Sequence, residues 1–197
     1  MTGHRQAVQV VFIYGPAASG KHTIGLQLSR LTGLPLFHNH LAVDAALSLF
    51  RFGTQGFKNV RSAVWRTAFQ EAARSGRSFI FTFHPEASVE PVLIEELVES
   101  IESVGGKVLF VELQCAPDVV LERLSNPSRA NFRKMTDPDL YRTLEEQGAF
   151  SFPQLPTPLL RIDTSELPPE VAANRIAHAI ASRPMTPNTS LERTRDR

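Results

Sequence analysis

One cysteine, Cys115, stands in a chain of 197 residues, so no internal disulfide framework can form and most cysteine-rich metal sites are excluded. In its apolar strand context it reads as a small core residue. No apolar run approaches about 18 residues, so no segment reads as a membrane-crossing helix. Met1-Thr2-Gly3-His4-Arg5-Gln6 is not followed by a signal-peptide hydrophobic segment of the usual kind, and the expectation is a soluble, cytoplasmic protein. An excess of charge of one sign is lacking too. Twenty-one Lys+Arg against 20 Asp+Glu leave +1, so nothing global points to nucleic acid or to an anionic membrane, and any basic surface must be local. There is no internal repeat. The absence of G-x-G-x-x-G after the first strand disfavours a dehydrogenase, and the absence of Asn-Lys-x-Asp disfavours a guanine-nucleotide switch. What is there is 42% hydrophobic and 21% charged residues, enough to bury a proper core. A single domain over residues 1–182 with a loose polar tail over 183–197 is the expected organisation.

The chain is organised around Val10-Val11-Phe12-Ile13-Tyr14-Gly15-Pro16-Ala17-Ala18-Ser19-Gly20-Lys21-His22-Thr23. Residues 10–14 read as a strand buried on both faces, and residues 23–31 as a helix with Ile24, Leu28 and Leu31 along one side. Gly15 and Gly20 permit backbone conformations closed to residues with a side chain. Successive N–H groups across Ala17, Ala18, Ser19, Gly20 and His22 can therefore converge on an anion at the positive end of the helix. Lys21 adds a mobile point charge for the outer phosphates of a nucleotide.

The rest of the chain alternates strands and helices. Residues 34–37 begin a second strand that ends in His38-Asn39-His40, polar residues at the strand edge where ligands bind in open α/β sheets. A metal reading of His38 and His40 would need further ligands that the sequence does not offer. A helix is expected over 41–50, with Asp44 in its first turns, and another over 57–74 with Val60, Val64, Ala68 and Ala72 at helical spacing. Phe50, Phe52, Phe57, Trp65 and Phe69 crowd this region and read mostly as core. Residues 41–74 could form a flap over an acceptor, with Arg51, Arg61 and Arg66 either facing an anionic acceptor or solvated. A third strand over 77–83 ends at His84-Pro85-Glu86. A helix over 89–104 is expected to turn Val92, Leu93, Leu97, Ile101 and Val104 inward. A strand over 107–114 follows, in which Glu112 would need a partner if buried. Helices at 119–124 and 137–147, a last strand over 158–164 and a helix over 171–182 complete the pattern. The segment 125–136 is turn-rich and locally basic, and is read as a lid in which Arg129, Arg133 and Lys134 neutralise phosphate charge.

This order of units implies a parallel sheet covered on both faces. Gly15 to Thr23, the strand end Phe37-His38-Asn39-His40, the phrase Val108-Leu109-Phe110-Val111-Glu112-Leu113 followed by Pro117 and Leu121-Glu122-Arg123-Leu124, and the closing Arg161-Ile162-Asp163-Thr164-Ser165 together resemble the small-molecule kinases of the P-loop superfamily. Shikimate kinase, adenylate kinase and gluconate kinase are the types it looks most like. The resemblance implies a three-layer α/β fold with a parallel five-stranded sheet of order 2-3-1-4-5, ATP and magnesium, a lid arginine at Arg129, and adenine packed near Thr164. In adenylate kinase and its relatives Gly-Lys-x-Thr is normal, which makes Thr23 the candidate hydroxyl for magnesium, while Ala18 stands where those relatives often have glycine. Shikimate kinase would place Asp-x-Asp where this chain has His38-Asn39-His40, and a glycine run where it has His84-Pro85-Glu86. No Walker B aspartate follows the third strand, so magnesium would be reached through water from Asp44 or Glu86, or by Thr23 and the phosphates alone.

The expected reaction is transfer of the γ-phosphoryl of ATP to a hydroxyl of a small molecule, with Lys21 and Arg129 stabilising charge and Asp44 orienting or deprotonating the acceptor. The alternative is an ATP-binding module or slow ATPase without an acceptor. A monomer or homodimer that uses ATP and a small molecule, and neither nucleic acid nor membrane, completes the expectation.

Overall fold

A computed structural model describes residues 7–126, 136–152 and 155–182. Five parallel strands form one sheet of order β2-β3-β1-β4-β5, as the resemblance implied. In chain order the elements are β1 (Gln9–Tyr14), α1 (Lys21–Thr32), β2 (Leu36–His38), α2 (His40–Leu47), α3 (Gln55–Ser75), β3 (Phe79–Phe83), α4 (Pro91–Glu102), β4 (Lys107–Gln114), α5 (Pro117–Leu124), α6 (Pro138–Glu146), β5 (Leu160–Asp163) and α7 (Pro169–Ala181). The expected lid residues Arg129, Arg133 and Lys134, and the tail 183–197, lie outside the described residues.

Alternation along β1 divides the core into two layers. Val10 and Phe12 point toward α3 and α4, where Phe81, Phe83, Trp65, Phe69, Leu97 and Ile101 meet them. Val11 and Ile13 point the other way, onto Ile24 and Leu28 of α1 and Ala172, Ala173 and Ile176 of α7. β1 pairs with β3 from Val10 opposite Phe79 to Tyr14 opposite Phe83, and with β4 from Gln9 opposite Lys107 to Tyr14 opposite Glu112. A strand flanked on both sides and covered on both faces must be apolar throughout, which is why 10–13 carry no polar side chain. Each fully buried phenylalanine of this core contributes about 1.5–3 kcal/mol.

Local signals set the helix ends. Thr54 caps α3 by accepting from the Phe57 N–H, Gly76 ends it in a left-handed turn, and proline opens α4, α5, α6 and α7. Three helix faces differ from the sequence reading. Val92 and Val104, expected inward on α4, are 53% and 52% exposed, and the buried face is Leu93, Ile94, Leu97 and Ile101. Leu31 of α1 likewise faces solvent. On α3 the buried stripe is Phe57, Arg61, Trp65, Phe69 and Ala72, with Val60, Val64 and Ala68 beside it. Larger rings bury more area than valines, so the helix rotates to place them under the sheet. Glu112 is half-buried and finds its partner in Arg161, 2.7 Å away on β5. Among the described residues no helix is long and apolar enough to cross a membrane.

Candidate active site

β1 delivers the chain into a loop whose backbone only a few residue types tolerate. Gly15 takes φ 154°, Gly20 φ 87°, and between them Ala18 takes φ 58°, the only positive φ outside glycine among the described residues. A Cβ on Gly15 would lie 2.3 Å from the Leu113 carbonyl oxygen on β4, so no side chain fits there. Ala18 has no such obstacle but holds a left-handed conformation that costs an L-residue about 1–2 kcal/mol. Such strain persists where surrounding contacts enforce it.

Those contacts come from two directions. The Lys21 ammonium donates to the Gly15 and Pro16 carbonyls at 2.7 and 2.5 Å and reaches the Ser19 hydroxyl at 3.4 Å, closing the loop into a ring. Ser19 is fully buried, and its carbonyl accepts from the Thr164 hydroxyl at 3.0 Å. That hydroxyl also lies 2.9 Å from the Gln114 carbonyl, and the Thr164 N–H donates to the same oxygen. Thr164 is 2% exposed, so its side chain braces the loop from beneath and offers no open face to a base.

Helix α1 starts from this loop with no side-chain cap at Gly20 and no acidic residue in its first turn. Its first internal N–H bond runs from Ile24 to Gly20, leaving the amides of Lys21, His22 and Thr23 directed out of the helix end. Amides directed out of a positive helix end, with the Lys21 ammonium beside them and no acidic residue in the first turn of α1, fit a polyphosphate. Thr23 is exposed and His22 half-buried in that first turn.

Histidines gather beside the cradle. The His38 ring at the end of β2 meets the His22 ring edge-on at 4.8 Å and lies 6.3 Å from that of His40. At the end of β3, His84 Nδ1 stands 3.3 Å from the Gly15 carbonyl, and its ring lies 5.1 Å from Phe150. Thr82 joins the two strand ends by accepting from the Asn39 N–H at 3.3 Å. Among the described residues no group of three or more His, Cys, Asp or Glu side chains is arranged to hold a metal ion. Asp44 is exposed on α2.

The insertion corrects two expectations. Arg61 is not solvated and does not face an acceptor. It is 1% exposed, with Nη1 donating to Glu86 Oε1 at 2.7 Å and to the Ser88 hydroxyl at 2.9 Å, and Nη2 to the Ser88 carbonyl at 2.9 Å. Its guanidinium lies over Phe57 and Trp65 at 5.3 and 5.2 Å. Arg66 pairs with Glu96 of α4 at 2.7 Å. Glu86, considered as a water-mediated partner for magnesium, is therefore occupied by Arg61. Burial pushes the Glu86 carboxyl above its ordinary range while Arg61 opposes, and burial pulls the Arg61 guanidinium down while Glu86 opposes. Sequence reasoning missed this pair, though Arg61 falls four residues after Phe57 and four before Trp65, on the stripe that packs. It also missed Arg123, whose Nη2 donates to the Thr164 and Ser165 carbonyls at 2.8 and 2.9 Å and so fixes the turn that braces the loop.

No family model matches the sequence, and no curated protein matches it. Solved structures do match in fold. A sugar kinase from Janibacter sp. HTCC2649 shares 19% identity at a TM-score of 0.62, covering 88% of this chain and 95% of that one. The APS kinase of Mycobacterium tuberculosis, solved in complex with AMPPNP and APS, shares 13% identity at 0.60, covering 89% of this chain and 98% of that one. Shikimate kinase from Aquifex aeolicus VF5 shares 18% identity at 0.52, covering 88% and 96%. The likeness extends over nearly nine-tenths of this chain, and the chain has the three-layer fold of the P-loop kinases, with its five-stranded parallel sheet.

Proposed function

We propose that the protein is an ATP-dependent phosphotransferase acting on a hydroxyl of a small molecule. The observation that carries this reading is the cradle between β1 and α1, with its positive-φ backbone at Gly15, Ala18 and Gly20 and its lysine at the rim. The APS kinase of the same fold was solved with AMPPNP and APS, which supports the use of a nucleotide.

In the reaction the acceptor oxygen forms a bond to the γ-phosphorus, the bond from that phosphorus to the β–γ bridging oxygen breaks, and ADP leaves with the electron pair. The loop amides and the first-turn amides of α1 hold the phosphate chain, and Lys21 exchanges loop carbonyls for phosphate oxygens, stabilising the charge that spreads over the transferred group. Thr23 would hold magnesium, which when bound screens the phosphate oxygens. Asp44, on the helix that leaves the β2 end, orients the acceptor hydroxyl and takes its proton. Arg129 is assigned to closing over the phosphates, and Thr164 contributes by holding Ser19 in place.

A second reading, an ATPase without an acceptor, is favoured by one observation. The carboxylate nearest the end of β3, that of Glu86, is engaged by Arg61. The two readings separate when hydroxylated metabolites, nucleosides and antibiotics are screened for accelerated ADP release. Acceleration by any of them, with a phosphorylated product, identifies a kinase. A rate of ADP release independent of every acceptor identifies the ATPase.

A further inference from the structure

Backbone carbonyls along β1 alternate between its two neighbours. That of Val8, just before the strand, accepts from the Lys107 N–H, so even-numbered carbonyls face β4 and odd-numbered ones face β3. Gly15 is the odd-numbered residue that follows the last β1–β3 pair, Tyr14 opposite Phe83. Continued by one step, the ladder would offer its carbonyl the N–H of residue 85. That residue is Pro85, which has none.

The side chain of His84 supplies the donor instead. Its Nδ1 stands 3.3 Å from the Gly15 carbonyl oxygen, which can only accept, so the hydrogen bond places a proton on Nδ1. The imidazole lies 5.1 Å from Phe150, which stacks at 4.9 Å on the buried Tyr141 of α6. Packing and hydrogen bond together hold the ring against the first residue of the loop. Gly15 is buried, so its carbonyl cannot lose its donors cheaply.

Two donors share this oxygen, Lys21 Nζ at 2.7 Å and His84 Nδ1 at 3.3 Å. A bound nucleotide would treat them differently. Lys21 sits on a flexible stem and is the group that turns to phosphate oxygens, whereas the imidazole stays at the end of β3. Without that imidazole, each departure of Lys21 would strip a buried carbonyl of its donor and weaken nucleotide binding by the same amount.

We propose that His84 is a positioning residue for the nucleotide: it takes the place of the N–H that Pro85 lacks, and so releases Lys21 from the Gly15 carbonyl to the phosphates. This rests on the nucleotide site of the reading above. At the strand end where no Walker B aspartate follows, the chain places a hydrogen-bond donor aimed at the loop.

The test is calorimetric titration with ADP, with and without magnesium, together with thermal unfolding of the nucleotide-free protein, for His84→Asn, His84→Asp and His84→Phe. The asparagine amide nitrogen lies as many bonds from the backbone as histidine Nδ1 and donates. Aspartate has the same shape and, ionised, only accepts, while phenylalanine keeps a ring against Phe150 and has no donor. His84→Phe and His84→Asp should each weaken ADP binding about tenfold, and His84→Asn should stay within about twofold of the unsubstituted protein. In the nucleotide-free protein Lys21 still holds the carbonyl, so His84→Phe should leave the unfolding temperature within about 1 °C. Introduced into Lys21→Met, the same substitution should lower it by about 2–4 °C.

Unchanged ADP binding in His84→Phe overturns the proposal, as does an equal loss of stability in the two backgrounds. Binding restored by His84→Asp with magnesium, and not by His84→Asn, also overturns it, because position 84 would then serve the metal. The comparison of His84→Asn with His84→Asp decides the matter however His84→Phe folds. An unsubstituted protein that binds no ADP removes the nucleotide site and this inference with it, whereas ADP binding that ignores His84→Phe removes the inference alone.

Discussion

Arg61 of α3 and Glu86 of the β3 end face each other across 2.7 Å, with the arginine side chain 1% and the glutamate 12% exposed. The pair joins α3 to the carboxyl end of β3, the strand beside β1. Taking one member away leaves the other's charge buried without compensation, which costs about 3–5 kcal/mol. Glu86→Leu and Arg61→Met should each lower stability by about that amount, and the double substitution Arg61→Met/Glu86→Leu by much less than the sum. Chemical denaturation of the four proteins checks this, and additive losses would show that the charges do not depend on one another.

The loop carries its own strain at Ala18. Glycine adopts φ 58° freely, so Ala18→Gly should stabilise the protein by about 1 kcal/mol. Gly15→Ala is the opposite case, because its Cβ would press on the Leu113 carbonyl oxygen. It should displace the loop from β4 and abolish nucleotide binding. Thermal unfolding and ADP titration read the two outcomes.

Much of this was legible in the sequence. The unbroken apolar run before Gly15 reads as a strand covered on both faces, and with Lys21 it marked the loop, while alternating strand and helix patterns implied a parallel sheet covered on both faces and the resemblance to P-loop small-molecule kinases implied its strand order. Side-chain partners over long distances were not legible. Nothing local to Arg61 names Glu86, 25 residues away, and nothing local to Thr164 names Ser19, 145 residues away, because such pairs exist only once crossovers bring strand ends together. Helix faces failed where two apolar stripes competed, as on α3, where valines at helical spacing lie beside a stripe of larger rings interrupted by one arginine.

Thr164 tests the brace under the loop. Thr164→Val keeps the shape and removes the hydroxyl that reaches Ser19 and Gln114, leaving one buried carbonyl short of a donor. A loss of about 1–2 kcal/mol in stability is expected, with weaker ADP binding because the cradle loses its support. Lost stability with full ADP affinity would separate Thr164 from the site.

Both tyrosines should titrate late. Burial, followed by the charge of Glu112, raises Tyr14 to about 12, and burial, followed by Glu145, raises Tyr141 to about 12. The folded values lie above the unfolded value near 10, so the stability these groups contribute is complete below pH 10 and is lost as pH rises from 10 through 12. Ultraviolet titration should show no tyrosinate step near pH 10 in the native protein, and Tyr14→Phe should flatten part of the alkaline decline in stability.

The central claim is that the turn between β1 and α1 grips the phosphates of a nucleotide whose terminal group is transferred. Single-turnover ATP consumption by Lys21→Ala tests it most directly, with the folded state confirmed by its unfolding transition. Removing the lysine at the rim of the cradle should slow the step by about a hundredfold or more, whereas turnover equal to that of the unsubstituted protein would contradict the account.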